Sequence, residues 1–228
     1  MADCLLRAME PTDWNAVSQL IFESTNQWYT EHGMGPVFQN GPDSTILFCE
    51  VYESLDPGCC ILAVEMDTSE IMGSCFFHPR ETHVSLGIMN VAPRFFGKNV
   101  ASQLLEYVVA YADKNSLPLR LVSSAMNLDS FSLYNRAGFV PRTIFQDMVL
   151  PVPNEGLGWA PPLRGSVRPA INEDVSEMVR LELELNQINR KADFQFFINN
   201  EMGIWRTSVL VNELGRLEGF LVSVNHPG

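Results

Sequence analysis

The chain has 228 residues, which is enough for one large domain or for one domain and part of another. Hydrophobic residues make up 46% of the chain, a share that is ordinary for a folded globular protein and excludes an intrinsically disordered one. The formal charge of −12 argues against nucleic acid as a partner, because such binding draws on clustered cationic side chains. The acidity either favours a cationic, amine-bearing partner or serves solubility alone.

Neither membrane insertion nor metal binding is expected. No apolar run reaches the roughly 18 residues that a membrane span needs, and the N-terminus lacks a basic-then-apolar signal pattern, so we predict a cytoplasmic protein. The five cysteines show no C-x-x-C spacing, so reduced thiols are expected rather than disulfides or a zinc site. His78 and His83 flank a predicted turn, but two ligands without a third do not make a metal site.

The first part of the chain predicts a strand, two helices and a meander of strands. A short strand at residues 5–8 precedes a helix that begins near Trp14, and a second helix fits only within residues 43–55. Tight turns separate three further strands, at residues 59–66, 71–78 and 84–91. The sequence therefore predicts an antiparallel meander that ends at Val91.

A phosphate-binding turn is predicted directly after this meander. The strand breaks at Pro93, and a short turn containing Gly97 leads into a helix that begins near Val100. Apolar residues at a spacing of three and four give this helix one buried face. Such a turn supplies free backbone N–H groups and the positive end of a helix dipole, which together can hold a phosphate.

A second group of residues follows the helix. A buried strand is predicted at residues 119–123 and is expected to run parallel to the strand that ends at Val91. Asn127 then precedes a short helix that carries Tyr134 and that Gly138 ends. Residues 139–150 predict a strand, a bend and another strand, which would close the sheet.

Together these two groups resemble the acetyl-CoA site of the GNAT superfamily of N-acetyltransferases. That family shows Val-x-Pro at the end of a central strand, a glycine-containing turn before a helix, and later an Asn, a Tyr and a Gly-Phe pair. The matching positions here are Val91, Pro93, Ala101, Asn127, Tyr134, Gly138 and Phe139. Two positions depart from the pattern, because Phe96 stands at the usual Arg or Gln and Asn99 at the usual first Gly.

The resemblance implies an α/β (α+β) fold with a mixed, mostly antiparallel sheet, a splayed central pair of parallel strands, and flanking helices. Acetyl-CoA, as cosubstrate, would lie in the wedge between the splayed strands. Backbone groups of Met89, Asn90 and Val91 would hold its pantetheine arm, and Asn127 would hydrogen-bond the same arm. The turn and the first helical residues would hold the pyrophosphate, with Lys98 as the nearby positive charge: Gly97, Lys98, Asn99, Val100, Ala101 and Ser102.

The resemblance further implies acetyl transfer to a primary amine by direct attack, with Tyr134 as the general acid for the departing thiolate. The amine would belong to a small molecule or a peptide. The general base stays unassigned, because Val122 stands where some relatives have a glutamate. Either Glu65, Glu81 or His83 acts through ordered water, or no base is required.

Two questions of function stay open at this point. Trp28, Tyr29 and Phe38 would line the acceptor pocket, or they only cover the edge of the sheet. The changes at Phe96 and Asn99 predict weakened coenzyme binding. They leave a second interpretation, in which the chain is a non-catalytic module of this fold that binds a ligand or a partner.

The domain organisation follows from a change in composition. Residues 1–150 are predicted to form the acetyltransferase domain. Residues 151–163 are rich in Pro and Gly and predict a linker, which packing of Trp159 could hold in place. Residues 164–228 are predicted to form a further half-domain.

This half-domain is predicted to be a partial second copy of the fold. Arg7 and Asp13 recur as Arg168 and Asp174, again six residues apart, and a helix and a hairpin follow each pair. The given sequence ends before any second phosphate turn or catalytic tyrosine, so as given this copy would not bind acetyl-CoA in the manner of the first. Either the natural chain continues, or this part is a scaffold. Its apolar edge is expected to pack on the front domain or on another molecule, as in a homodimer.

Overall fold

The computed structural model describes residues 4–146, 148, 150–158 and 165–225. These residues form a five-stranded sheet of order β1-β2-β3-β4-β5 and a three-stranded sheet of order β6-β7-β8. The elements of the first part are β1 Cys4–Ala8, α1 Trp14–Glu31, α2 Ile46–Leu55, β2 Cys60–Glu65, β3 Ile71–Pro79, β4 Val84–Val91, α3 Val100–Lys114, β5 Leu119–Arg120 and α4 Leu128–Arg136. The elements of the second part are β6 Ser166–Pro169, α5 Val175–Asn186, α6 Lys191–Asn199, β7 Trp205–Val211 and β8 Leu217–Val224.

The larger sheet is mixed. Strands β1 to β4 pair antiparallel, and β4 pairs with β5 in parallel. The parallel pairing covers only Val84 with Leu119 and Ser85 with Arg120. Beyond Ser85, the edge of β4 that faces β5 has no strand partner within the described residues. The predicted fold class, a mostly antiparallel sheet with a splayed parallel pair and flanking helices, is confirmed.

Helices cover both faces of this sheet, and strand β2 shows why. Its residues alternate between the faces, as side chains in a strand must. Ile61 and Ala63 pack with the buried side of α3, whereas Leu62 packs with the buried residues of α1. Residues 60–64 are therefore apolar without interruption, the pattern of a strand that is buried on both sides.

A bulge bends β4 near its middle. The register with β3 shifts between Cys75 and Phe77, so that Gly87 and Ile88 together lie opposite Phe76. A Cβ atom at Gly87 would lie 2.8 Å from Nε2 of His78 and 3.1 Å from the carbonyl oxygen of Phe76. Only glycine fits there without a shift of its neighbours. Because a bulged strand bends and twists more strongly, this bulge favours the divergence of β4 from β5.

We call residues 165–225 the C-terminal unit. Its strands pair antiparallel, and its core contains Val175, Met178, Phe194, Val209 and Leu217. The element order strand, helix, helix, hairpin is the same as that from β1 to β3.

The Arg and Asp pairs at the start of the two parts also have the same geometry. Arg7 donates to both carboxylate oxygens of Asp13 at 2.6 and 2.8 Å, and Arg168 donates to those of Asp174 at 2.6 and 2.7 Å. Each of these carboxylates also accepts a backbone N–H three residues before it in the chain.

The predicted strands at residues 139–150 are wrong for the part that the structure describes. The described residues of this range form no strand, and Ile144 is 95% exposed. The physical reason lies in β5, which was predicted to reach Ser123 but ends at Arg120. A strand of two residues offers almost no free backbone N–H and C=O groups with which a following strand could pair.

The predicted linker has no helix or strand among its described residues, 151–158. Residues 159–163, including Trp159, lie outside the described residues. Within the described part of the chain, no helix is both long and apolar enough to cross a membrane.

Candidate active site

The turn between β4 and α3 combines a 3-10 turn with two left-handed residues directly before a helix start. Residues Pro93–Phe95 form one 3-10 turn, and Gly97 and Asn99 then adopt left-handed backbone angles with φ of 73° and 68°. Asparagine tolerates this region better than most residues with a Cβ atom. Asn99 therefore takes the conformation that glycine would take, directly before α3.

The start of α3 exposes backbone donors. The first hydrogen bond of the helix runs from the N–H of Gln103 to the carbonyl oxygen of Asn99, at 3.3 Å. The N–H groups of Val100, Ala101 and Ser102 precede it, so helix geometry gives them no acceptor within the helix. The side chain of Val100 is buried and fixes this helix start against the sheet.

The cationic side chains near the turn lie against an aromatic ring. The ammonium of Lys98 is 4.8 Å from the ring centroid of Phe95, and the guanidinium of Arg94 is 5.1 Å from it. Arg94 also forms an ion pair with Glu70. Phe96 is 48% exposed and offers no polar side-chain atom. The turn can therefore bind an anion mainly through its backbone.

The free edge of β4 presents backbone groups next to this turn. The N–H of Ala92 donates to the carbonyl of Met72 on the β3 side, at 2.8 Å. Since successive residues of a strand point to opposite edges, Val91 and Met89 direct their backbone groups away from β3, and Asn90 directs its own toward β3. Of the three predicted pantetheine contacts, two thus lie on the open edge.

The side chain of Asn90 has a different environment, on the α1 face of the sheet. Its Nδ2 donates to Oγ of Ser24 at 2.7 Å and to Oγ1 of Thr25 at 3.3 Å. Ser74 on β3 is the register partner of Asn90. Oγ of Ser74 and Oδ1 of Asn90 are buried and have no hydrogen-bond partner among the described residues.

Sequence reasoning missed this polar group of four residues. Its strongest signal is Ser74, a hydroxyl within the buried run from Met72 to Phe77. Buried polar atoms usually bind a protein group, an ordered water or a ligand.

Tyr134 lies on α4 and packs against the core on the α3 face, together with Met89 and Val91. Its ring centroid is 5.8 Å from that of Phe139. Burial, with a smaller effect of nearby Cys75, raises the pKa of the Tyr134 hydroxyl to about 12. The phenol therefore keeps its proton near neutral pH and can donate it.

Asn127 has a structural contact that the sequence analysis did not predict. Its Oδ1 accepts the N–H of Ser130 at 3.0 Å and so caps the start of α4. This cap fixes the helix that carries Tyr134.

The three candidates for a general base have other partners. His83 is buried and contacts Thr82 and Ser85. Glu81 accepts a hydrogen bond from Asn189, and Glu65 accepts one from Thr68. Burial, followed by nearby cations, lowers the pKa of His83 to about 4. None of the three is placed beside Tyr134 by a contact in the described structure. The described residues also contain no group of three or more His, Cys, Asp or Glu that could hold a metal ion.

Comparison with known proteins assigns the family. Residues 15–139 match the model of the acetyltransferase (GNAT) family, which is more than half of the chain. The chain therefore belongs to the GNAT acetyltransferase family, and that part of the predicted resemblance is confirmed. Among curated proteins, no relative of this chain is found.

Solved structures agree on the fold. A protein from Pyrococcus horikoshii assigned as an acetyltransferase superposes with a TM-score of 0.65 at 12% identity, over 98% of this chain and 80% of that one. A GCN5-related N-acetyltransferase from Sphaerobacter thermophilus gives a TM-score of 0.60 at 18% identity, over 98% of this chain and 76% of that one. At these identities the likeness establishes the fold alone.

Proposed function

We propose that the protein transfers an acetyl group from acetyl-CoA to a primary amine of a small molecule or a peptide. The observation that carries this proposal is the slot between β4 and β5. The two strands separate after Ser85, and the unpaired edge of β4 leads directly into a turn that exposes backbone N–H groups at the start of α3. An extended arm and a pyrophosphate need these two features in this order.

The residues present fit acetyl-CoA. Backbone groups of Met89 and Val91 would hydrogen-bond the pantetheine arm as a neighbouring strand does. Asn90 would support the slot through its side-chain contacts with α1, and Asn127 would contact the arm as well as capping α4. Amides of the turn and of the first helical turn would hold the pyrophosphate, and Lys98 would add charge: Gly97, Lys98, Asn99, Val100, Ala101 and Ser102.

Tyr134 would act as the proton donor. When bound, acetyl-CoA supplies a thioester whose carbonyl the amine attacks, and the departing thiolate needs a proton. A tyrosine with a pKa of about 12 stays protonated until that moment. Holding the two reactants in line would supply a large part of the rate enhancement.

The C-terminal unit would be a partial second copy of the fold. Its matching element order and the Arg168 and Asp174 pair support this proposal. We accordingly propose an acetyltransferase domain at residues 1–150, a linker at 151–163 and a half-domain at 164–228. The half-domain would support the first domain.

A second candidate function is a binding module without catalysis. Phe96 favours it, because an exposed phenyl ring stands where the family has a polar side chain that contacts the coenzyme. In this case the slot would bind a coenzyme or another ligand, and no acetyl group would be transferred.

Binding and transfer assays separate the two functions. Isothermal titration with acetyl-CoA tests the slot, and thiol release in the presence of a panel of amines tests transfer. The enzyme should lose most of its rate in Tyr134→Phe and keep it in Tyr107→Phe, a control on the exposed side of α3. Binding without thiol release supports the module. No detectable heat at millimolar acetyl-CoA contradicts the acetyltransferase and any module that binds this coenzyme.

A further inference from the structure

The end of the slot at which β4 and β5 are still paired has contacts that the proposed chemistry does not use. We call this end, formed by Val84 and Ser85 of β4 and by Leu119 and Arg120 of β5, the closed end. The turn of residues 80–83 leads into it from β3. We infer that the C-terminal unit braces the closed end, and that this contact sets the opening of the slot for the coenzyme. The inference rests on the proposed function only for the identity of the ligand.

Arg80 is the first part of the brace. Its guanidinium lies between Asp56, which follows α2, and Asp193 on α6. It donates to Asp56 at 2.7 and 3.0 Å and to Asp193 at 2.5 and 2.6 Å. The three side chains are 7%, 11% and 6% exposed, respectively. Two bidentate pairs with little solvent around them fix the position of this turn relative to α6.

A chain of hydrogen bonds is the second part of the brace. The backbone N–H of Asn189 donates to Oγ1 of Thr82 at 3.0 Å. Oγ1 of Thr82 is 3.0 Å from Nδ1 of His83, and Nε2 of His83 is 3.0 Å from Oγ of Ser85. The chain thus leads from the C-terminal unit to a residue of β4 that pairs with β5.

The protonation of His83 fits this chain. Burial, followed by the charge of Arg120, lowers its pKa to about 4, so the ring is neutral at pH 7. Either neutral tautomer satisfies the chain: with the proton on Nε2, Nδ1 accepts from Thr82 and Nε2 donates to Ser85, and with the proton on Nδ1 the two roles are exchanged. Every hydrogen bond of the chain then has one donor and one acceptor.

The third part of the brace contacts β5. The guanidinium of Arg120 donates to the carbonyl oxygen of Asn186 at 3.0 Å. Arg120 is the register partner of Ser85, which ends the chain from Asn189. Residues 186–189, which run from the last residue of α5 into the loop before α6, therefore contact β5 at Arg120 and the turn before β4 at Thr82.

A small rotation of β4 at the closed end produces a larger displacement of Val91, the last residue of the strand. The strand from Ser85 to Val91 makes six residue steps and spans about 20 Å, so a rotation of about 3° at Ser85 displaces Val91 by roughly 1 Å. Displacements of this size can change the rate of a reaction by about 100-fold. The same displacement would misplace the backbone groups of Met89 and Val91 that hold the pantetheine arm, so the brace acts on coenzyme binding as well as on rate.

A pair of substitutions at Thr82 tests the brace in the full chain. Thr82→Val removes the hydroxyl and keeps the shape, whereas Thr82→Ser keeps the hydroxyl. Asp193→Asn is a second, independent change, which weakens the bond to Arg80 from the other unit. Arg180→Gln is the control, since Arg180 pairs with Glu177 and Glu184 on the exposed surface of the same unit.

Two readouts distinguish the brace from a purely structural role. Hydrogen exchange should be faster in peptides that cover residues 84–91 and 118–124 of Thr82→Val and Asp193→Asn, with the rest of the chain unchanged. Titration with acetyl-CoA should give roughly 10-fold weaker binding for both variants. Thr82→Ser and Arg180→Gln should match the wild type in both readouts.

The outcomes separate the brace from the proposed function. If Thr82→Val and Asp193→Asn fold, bind acetyl-CoA as the wild type does and exchange at the same rate, the brace is refuted. If the wild type itself does not bind acetyl-CoA, the proposed function fails, and the exchange data alone decide on the brace. If a variant does not fold, the other variant decides.

Discussion

Ser74 and Asn90 face each other across β3 and β4, and each has a buried oxygen without a partner among the described residues. Ser24 differs from them, because its hydroxyl donates to the carbonyl of Leu20 at 2.7 Å and accepts from Asn90 at 2.7 Å. These three polar residues lie close together on one face of the sheet, but their hydroxyls and amide are not equally satisfied. Their truncations should therefore differ in cost.

We expect Ser74→Ala to leave the free energy of unfolding unchanged or to raise it by up to about 1 kcal/mol, because it removes a buried hydroxyl that has no partner. Ser24→Ala should lower the free energy of unfolding by about 1–2 kcal/mol, because it leaves the amide of Asn90 without its nearest acceptor. Urea denaturation of both variants measures the difference. A Ser74→Ala protein less stable than Ser24→Ala would contradict this account of the site.

The left-handed conformation of Asn99 predicts the effect of two substitutions. Asn99→Gly should keep the turn and bind acetyl-CoA at least as tightly as the wild type, because glycine adopts a φ of 68° without strain. Asn99→Ala should lose about 1 kcal/mol of stability and bind acetyl-CoA more weakly, because its Cβ atom disfavours the left-handed region. Chemical denaturation and titration with acetyl-CoA measure both effects, and equal behaviour of the two variants would show that the turn tolerates any residue.

Phe96 gives a prediction of gained affinity. Phe96→Arg places a guanidinium on an exposed position of the turn, where it can form a charge-assisted hydrogen bond with a phosphate. Affinity for acetyl-CoA should rise by roughly 10-fold at low salt, and the gain should shrink as salt is added. Phe96→Leu is the control, and it should bind as the wild type does. A Phe96→Arg protein without salt-dependent gain would place the coenzyme elsewhere.

The raised pKa of Tyr134 predicts that the free energy of unfolding depends on pH in the alkaline range. Its pKa is raised in the folded protein to about 12 from a usual value near 10. The stabilisation is complete below pH 10 and is lost as the pH rises toward 12, because the unfolded chain releases the proton first. The free energy of unfolding should therefore fall by about 2 kcal/mol more in the wild type than in Tyr134→Phe. Urea unfolding between pH 9 and about pH 11.5 measures this difference, and parallel curves for the two proteins would mean that the hydroxyl is solvated.

The sequence predicted the parts of the site that depend on local chain geometry. Pro93 breaks a strand and Gly138 ends a helix wherever they occur, so the borders of β4, α3 and α4 could be read from the residues themselves. The start of α3 at Val100 and the position of Tyr134 on α4 agree with those predictions.

Contacts between distant residues could not be predicted in this way. Arg80 and Asp193 are 113 positions apart, and no local pattern marks them as partners. The direction of the Asn90 side chain depends on Ser24 of a helix 66 positions away. The strands predicted at residues 139–150 failed for the same reason, because a strand needs a neighbouring edge, and the length of β5 is a property of the folded sheet.

Gly87 lies in the bulge of β4 and directly beside the imidazole of His78. A side chain at this position would displace the imidazole of His78, and Nδ1 of that ring is 2.7 Å from the carboxylate of Asp56 that Arg80 also contacts. Any residue larger than glycine at position 87 would therefore require the side chain of His78 or the backbone of Phe76 to move. Anyone who wishes to reshape the β4 kink for a bulkier acyl donor would have to redesign His78 and its carboxylate partner first.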